Sequence, residues 1–78
     1  MYKYTLYYKK DDNGKMSDGY VSAINGEDIA YTTKRAECLV CDTEEQCREL
    51  LVKARKACKD IHIKFMVFRF KPQGVYSC

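Results

Sequence analysis

A single amphipathic stretch constrains the fold of this chain more than any other feature. Between residues 42 and 60 the apolar side chains recur at the spacing of one helical face, which predicts an α-helix. Asp42 and Thr43 are candidate N-caps, and acids early in the stretch with bases late in it suit the helix dipole. The expected apolar face consists of Cys47, Leu50, Leu51, Ala54, Cys58 and Ile61.

Segments on both sides of this helix have the pattern of β-strands. Residues 2–9 alternate between two faces, residues 20–24 and 29–34 follow across turn residues, and residues 61–71 form the most β-prone run. The order β-β-β-α-β predicts an α+β fold, a small two-layer domain. In it an antiparallel meander is followed by one helix packed on the sheet and by a C-terminal strand. We expect residues 1–78 to form this one domain, with residues 73–78 as a flexible tail.

Two asparagine-glycine pairs mark the turns of the meander. Both residues of such a pair tolerate positive φ, which the tight turns of β-hairpins require. Asn13 and Gly14 predict either a tight hairpin turn, with a bulge near Gly19, or a nine-residue loop. Asn25 and Gly26 predict the turn into the third strand.

Two segments allow more than one structure. Residues 36–41 either extend the third strand past a bulge at Arg35 or form a short separate strand. The last strand is apolar on both faces, because Met66, Phe68 and Phe70 occupy its second face, and this predicts an inner strand. If that strand runs parallel to the third, a right-handed crossover through the helix is expected.

Length and composition exclude several classes of protein. A chain of 78 residues supports one small core and leaves little room for a buried active-site cleft. No run approaches the roughly 18 apolar residues of a membrane span, and the first residues lack the apolar stretch of a signal peptide. No catalytic or cofactor motif occurs. We therefore expect a cytoplasmic protein that is neither an enzyme nor dependent on a cofactor, and that has no membrane contact.

Five cysteines raise the question of metal or redox chemistry. Cys38 and Cys41 have the C-x-x-C spacing that lets two thiolates bind one zinc or exchange as a redox pair. Cys47 with His62 or Cys78 would complete a zinc site, although Cys47 falls in the apolar register of the helix. Because the cysteine count is odd and no export signal precedes it, we expect reduced thiols without a bound metal.

The net charge of +3 is concentrated in the last third of the chain. Residues 1–41 carry six bases and six acids, whereas residues 53–71 carry seven bases and one acid. This basic stripe either stays solvated and complements the helix dipole, or it attracts phosphates or an acidic protein surface. The acids that can imitate the phosphates of a nucleic acid lie in predicted loops: Asp11, Asp12, Asp18, Glu27 and Asp28.

Aromatic residues are frequent on the predicted strands, with seven tyrosines and three phenylalanines in the chain. Since one helix covers only one sheet face, aromatic residues on the other face either pack across strands or form a docking surface. Aromatic residues beside bases can also stack nucleobases. The candidate partner-binding residues are Tyr7, Lys53, Arg55, Lys56, Lys59, Lys64, Phe68, Arg69 and Lys71.

A strand entered at Asp18, Gly19 and Tyr20, the turn at Asn25 and Gly26, and the helix from Thr43 carry a likeness to a known family. With three antiparallel strands followed by a helix, they resemble the small DNA-binding domains of phage and transposon integrases, in which the sheet enters the major groove. Those domains have no counterpart of the apolar last strand, and the bases of their second and third strands are nearly absent here, so no contact residue is carried over. In size and style the chain is also similar to the small inhibitors that phages and mobile elements encode against bacterial defence nucleases, anti-CRISPR proteins among them.

These observations predict a small non-catalytic protein-binding module, of the kind that phages or mobile elements encode as inhibitors, that occludes a nucleic-acid-handling protein complex. The alternative is a small nucleic-acid-binding protein that uses the basic stripe at residues 53–71. A third hypothesis is a thiol or zinc protein centred on Cys38 and Cys41. A homodimer through an exposed sheet edge stays open in each case.

Overall fold

A computed structural model describes residues 2–71 and shows a four-stranded antiparallel sheet with one α-helix packed on one face. The spatial order of the strands is β3-β2-β1-β4. The predicted α+β class and order of elements are confirmed, whereas the predicted tail at residues 73–78 lies outside the described residues. The elements are β1 (Lys3–Asp12), β2 (Lys15–Asn25), β3 (Asp28–Thr32), α1 (Glu44–Ala57) and β4 (Ile63–Phe70).

The hairpin between β1 and β2 turns on Asn13 and Gly14. Their φ angles are 54° and 84°, as a two-residue type I′ turn requires. The tight turn is therefore confirmed, and the nine-residue loop is wrong. Because pairing continues up to the turn, β2 begins at Lys15 and not at Tyr20.

A β-bulge at Ser22 decides which side chains of β2 face the helix. The register between β2 and β3 shifts between Val21 and Ala23, so Ser22 has no partner residue in β3. Val21 and Ile24 consequently both pack toward the helix although they are an odd number of positions apart. The predicted bulge near Gly19 was wrong.

The segment before the helix fills the space where β1 and β2 separate. Leu39 N donates to Val21 O at 2.9 Å, and Cys41 exchanges two backbone hydrogen bonds with Tyr4, at 2.7 and 3.0 Å. A short 3-10 turn, Arg35–Glu37, precedes this single bridge. Both predicted alternatives for the segment, an extension of β3 past a bulge or a separate strand, were therefore wrong.

Local hydrogen bonds set the remaining strand ends. β3 ends at Thr32 because its hydroxyl accepts from Lys34 N at 3.1 Å, which turns the chain before the predicted end at 34. β4 begins at Ile63 and not at 61, because Asp60 forms a turn. The Asp60 carboxylate accepts from His62 N at 2.8 Å and its carbonyl accepts from Ile63 N at 3.3 Å.

Capping groups define the start of α1. Thr43 Oγ1 accepts from Gln46 N at 3.2 Å, and Gln46 Oε1 accepts from Asp42 N at 3.1 Å, so the two side chains satisfy free amides reciprocally. The helix ends at Ala57, before the predicted end at 60. Ile61 is accordingly 87% exposed and does not belong to the apolar face of the helix.

The core lies between α1 and one face of the sheet. Leu50, Leu51 and Ile63 pack around it and remain partly exposed. Among residues 2–71 no helix has the length and apolar character needed to span a membrane. The buried core residues are Leu6, Val21, Cys41, Cys47, Ala54 and Phe65.

β4 lies at an edge of the sheet, so the prediction of an inner strand was wrong. It pairs antiparallel with β1, where Lys3 lies opposite Phe70, and the parallel crossover does not occur. Its second apolar face has a different cause. Phe65 packs against the helix side, while Phe68 packs against aromatic rings on the other side.

The close approach of β3 and Tyr8 to Gly19 generates the first prediction. A Cβ atom at Gly19 would lie 2.7 Å from Thr32 O and 3.0 Å from the Tyr8 ring. Because the backbone oxygen cannot move aside freely, we expect Gly19→Ala to lower the free energy of unfolding by about 1–3 kcal/mol in urea denaturation. Ser17→Ala, at an exposed position of β2, is the control and should change it by less than about 0.5 kcal/mol. Equal stability of both variants would contradict this packing.

Candidate functional site

The sheet face opposite α1 carries a cluster of aromatic side chains that we call the aromatic face: Tyr7, Tyr20, Phe68 and Phe70, with Arg35 above them. Alternation along the strands places these rings on the side away from the core. The ring centroids of Tyr7 and Tyr20 are 5.8 Å apart, and Phe68 lies 5.7 Å from Tyr20 and 6.0 Å from Tyr7. These distances and the edge-on or tilted geometry are those of favourable aromatic pairs. All four rings are partly exposed.

Arg35 attaches the 3-10 turn to the aromatic face. Its guanidinium carbon lies 5.9 Å from the ring centre of Tyr20, 5.3 Å from that of Phe68 and 5.6 Å from that of Phe70. A cation within about 6 Å of a ring face is attracted by the ring quadrupole. Arg35 Nη2 also donates to Tyr20 Oη at 3.4 Å. The aromatic face is therefore able to hold a guanidinium group.

Asp18 brings a negative charge to the aromatic face. The Tyr7 hydroxyl donates a hydrogen bond to the Asp18 carboxylate. This bond raises the pKa of Tyr7 above its ordinary value, because the carboxylate favours the protonated phenol, and desolvation adds to the effect. Lys9 lies opposite Asp18 on one side and opposite Lys64 on the other. Charges of both signs thus flank the rings.

Thr5 shows how closely the rings pack onto the sheet. It lies opposite Phe68 on the same face and is fully buried. Its hydroxyl has no hydrogen-bond partner within the described part of the chain. The aromatic face is therefore a packed surface and not an open cleft.

Three of the predicted partner-binding residues lie on the side of the aromatic face. Tyr7 and Phe68 belong to the aromatic face itself, and Lys64 lies on the same side of β4 as Phe68. Arg69 lies on the other side of β4, where its guanidinium carbon is 4.5 Å from the ring centre of Tyr2.

The predicted basic stripe is divided among separate surfaces. Lys53 and Lys56 line a groove beside Glu27 in the turn between β2 and β3. A second groove, which we call the basic groove, lies between the last turn of α1 and the first half of β4. Lys71 lines a third groove, with Phe70 and Arg35. The basic residues of the basic groove are Arg55, Lys59 and Lys64.

The acidic loop residues also do not form one surface. Asp11 and Asp12 end β1 at the turn between β1 and β2, and Asp18 lies within β2, so their predicted loop positions were wrong. Glu27 lies in the turn between β2 and β3, and Asp28 begins β3. These turns lie at opposite ends of β2, whose 11 residues span about 35 Å. Any imitation of phosphates would therefore take place at two distant points.

The cysteines within the described range are free thiols, and three of them are buried. Burial raises the pKa of Cys41 and of Cys47, that of Cys47 to about 12. Among residues 2–71 no group of three or more His, Cys, Asp and Glu side chains is arranged to hold a metal ion. The structure thus uses Cys41 and Cys47 as core side chains, and the predicted ligand Cys78 lies outside the described residues.

Sequence reasoning missed two members of the aromatic face, Tyr20 and Arg35, whereas it placed Phe70 with Phe68 on the second face of the last strand. The tight turn at Asn13 and Gly14 fixes the register that places Tyr20 opposite Tyr7, so the pairing was open to prediction from that turn. Phe70 follows Phe68 by two positions and shares its face. No sequence signal indicates Arg35, because its position depends on the path of the chain after β3.

No protein-family model, curated protein or solved structure matches this chain. The function is therefore inferred from the surfaces of the protein.

The hydrogen bond between Tyr7 and Asp18 has a measurable consequence for titration. A pKa raised by folding means that the contact stabilises the protein fully below pH 10.0, the ordinary pKa of tyrosine, and that this contribution is lost as the pH rises through the folded pKa. We expect Asp18→Asn to lower the pKa of Tyr7 in an NMR titration, because the variant removes the acceptor and its charge. Asp12→Asn, in the exposed hairpin end, is the control. A Tyr7 pKa that is unchanged by Asp18→Asn would contradict the contact.

Burial of the thiols predicts their reactivity. The thiolate is the nucleophile, and burial keeps Cys41 and Cys47 protonated at neutral pH. We expect both to react slowly with an aromatic disulfide reagent in the folded protein, and the less buried Cys58 to react sooner. Peptide mapping by mass spectrometry measures the three rates, with protein unfolded in urea as the control. Rapid labelling of Cys47 in the folded protein would show that it is not a core side chain.

Proposed function

We propose that this protein is a small non-catalytic protein-binding module that docks on its partner through the aromatic face. The observation that supports this most directly is the position of the rings. The rings lie on the sheet face opposite the core, and no α-helix within residues 2–71 covers that face. Tyrosine and phenylalanine supply large contact areas at low entropic cost and are enriched at protein interfaces.

The charges around the rings favour a protein as the partner. Lys9, Lys64 and Arg35 are positive, whereas Asp18 is negative and is held against Tyr7. An aromatic centre with a rim of mixed charge is typical of protein interfaces. A surface that stacks nucleobases instead needs a positive track for the phosphates, and the Asp18 carboxylate would repel them.

Within this proposal, the partner is a protein complex that handles nucleic acid. The module blocks it by binding in a fixed stoichiometry, as the inhibitors that phages and mobile elements encode do. The support for this part is the likeness in size and style to such inhibitors. The acidic turns at the two ends of β2 add to it, because they can meet phosphate-binding surfaces of such a complex. We place the activity in the cytoplasm, where free thiols such as Cys41 and Cys47 persist.

Substitutions in the aromatic face test this proposal. The tagged protein is used to co-purify its partner from the source cells, and the purified partner is then titrated calorimetrically. We expect Phe68→Ala and Tyr20→Ala each to weaken binding by about 2 kcal/mol, or roughly thirtyfold, since aromatic residues at the centre of an interface carry most of its affinity. Val52→Ala is the matched control, because Val52 is an exposed apolar residue of α1. It should leave the affinity unchanged.

Two results would overturn the proposal. One is a partner that binds Phe68→Ala and Tyr20→Ala as tightly as the wild type, while urea denaturation shows both variants folded. The other is tight binding to short duplex DNA, single-stranded DNA or RNA with an affinity that falls steeply as salt rises. If Lys53→Ala or Arg55→Ala reduced the affinity for nucleic acid, a nucleic-acid-binding function of the basic residues would replace the proposed protein-binding function.

A further inference from the structure

We infer that the outer edge of β4, together with the basic groove beside it, binds an extended acidic segment of a partner protein by adding that segment to the sheet as a further strand. This inference shares with the proposed function the premise that the partner is a protein. It uses a different surface, and it can therefore be tested separately.

The backbone of β4 supplies the first part of this site. Asp11 N donates to His62 O at 3.1 Å, which shows that the backbone groups of His62 point toward β1. In an antiparallel pair the residues that bond to one neighbour alternate with those that point away from it. Among residues 2–71, β1 is the only strand that pairs with β4. By this alternation Ile63, Phe65, Val67 and Arg69 point away from β1, and Ile63 N already donates to Asp60 O. Phe65, Val67 and Arg69 therefore supply the outward pairs of N–H and C=O groups.

A row of outward backbone groups of this kind is a template for another strand. In strand addition the main chain provides hydrogen bonds, while neighbouring pockets select the side chains of the added segment. Phe65, Val67 and Arg69 can each offer one donor and one acceptor to such a segment. The edge therefore fits a polypeptide, because a nucleic acid has no regular series of amide groups with which to pair.

The basic groove supplies the second part of the site. It has a volume of about 410 Å³ and lies directly beside the first half of β4. The basic residues Arg55, Lys59 and Lys64 line it. The acid of its lining, Asp60, forms an ion pair with a base outside the groove, since Asp60 Oδ2 lies 3.7 Å from Lys10 Nζ. Ile61 adds an apolar wall that is 87% exposed. The groove thus combines an apolar surface with a net positive charge.

Charge complementarity identifies the occupant. Side chains of an added strand would lie beside Lys64, Arg69 and the groove bases, so acidic side chains are attracted and basic ones are repelled. A second copy of this chain would bring its own Lys64 and Arg69 to this basic edge. The surface therefore fits an acidic segment with apolar residues better than it fits a second copy.

Hydrogen exchange tests the edge directly. The probe is a short acetylated peptide of alternating glutamate and valine, and the control peptide has lysine in place of glutamate. In the free protein we expect the amides of Phe65, Val67 and Arg69 to exchange quickly and those of Met66 and Phe68 slowly, because only the latter donate to β1. The glutamate peptide should slow exchange of the first three at least about tenfold, and the lysine peptide should not.

A pair of substitutions at one position isolates the edge hydrogen bond. Arg69→Pro removes the outward N–H and leaves the bonds to β1 intact, whereas Arg69→Ala removes only the side chain. We expect the proline variant to bind the glutamate peptide about tenfold more weakly than the alanine variant. Lys59→Glu should also weaken binding, whereas Lys53→Glu, in the other groove, should not. If the proline variant fails to fold, the exchange measurement on the wild type still decides.

Several outcomes would overturn the inference. They are unchanged exchange of the three amides, equal protection by both peptides, or chemical shift changes confined to Tyr7 and Tyr20. Protection that appears without peptide as the protein concentration rises would show that a second copy occupies the edge. Competition by single-stranded DNA without amide protection would assign the groove to nucleic acid. Tyr20→Ala should leave peptide binding intact, so the failure of this inference is distinguishable from that of the proposed function.

Discussion

A single helix can cover only one face of a four-stranded sheet, and most of this structure follows from that constraint. The covered face holds the aliphatic and thiol side chains of the core, centred on Leu6, Val21 and Cys47. The other face has no second helix among residues 2–71, so its residues shield one another. Tyr7, Tyr20 and Phe68 do this through ring contacts, which bury apolar surface without a covering layer. The aromatic face is thus a second hydrophobic layer as well as a candidate interface.

The segment from Arg35 to Cys41 connects the two faces of the sheet. Arg35 lies above the rings of the aromatic face, whereas Cys41 belongs to the core on the opposite side. The chain between them therefore passes from one face to the other. It does so in the space between β1 and β2, where Leu39 bonds to Val21. The bulge at Ser22 is next to Val21, the residue to which Leu39 bonds.

Features with local causes could be predicted from the sequence. The cap at Thr43 and the turn at Asn13 and Gly14 depend on side chains within a few residues, and both are confirmed. The bulge at Ser22 and the position of Arg35 depend on contacts with distant segments, so no local signal indicates them.

The edge position of β4 escaped prediction for a different reason. An apolar pattern on both faces reports that both faces are covered, but it does not say what covers them. In β4 the cover comes from α1 over Phe65 and from aromatic rings beside Phe68. Neither contact requires a second neighbouring strand. The face on which Tyr7 and Phe68 lie could be predicted, because the alternation of side chains along a strand is local. The contact between the two rings could not, because it depends on the pairing of β1 with β4.

The basic stripe shows why charge that is contiguous in sequence does not imply a contiguous surface. Successive helix residues turn by about 100°, so Lys53 and Arg55 point roughly 200° apart and line different grooves. Lys64 and Arg69 are an odd number of positions apart on one strand, which places them on opposite faces of the sheet. The result is a set of small basic surfaces, and residues 2–71 offer no continuous track along which a phosphate backbone could run. Small basic surfaces beside the outer edge of β4 suit a few acidic side chains on an extended peptide, and this geometry supports the proposal that the partner is a protein.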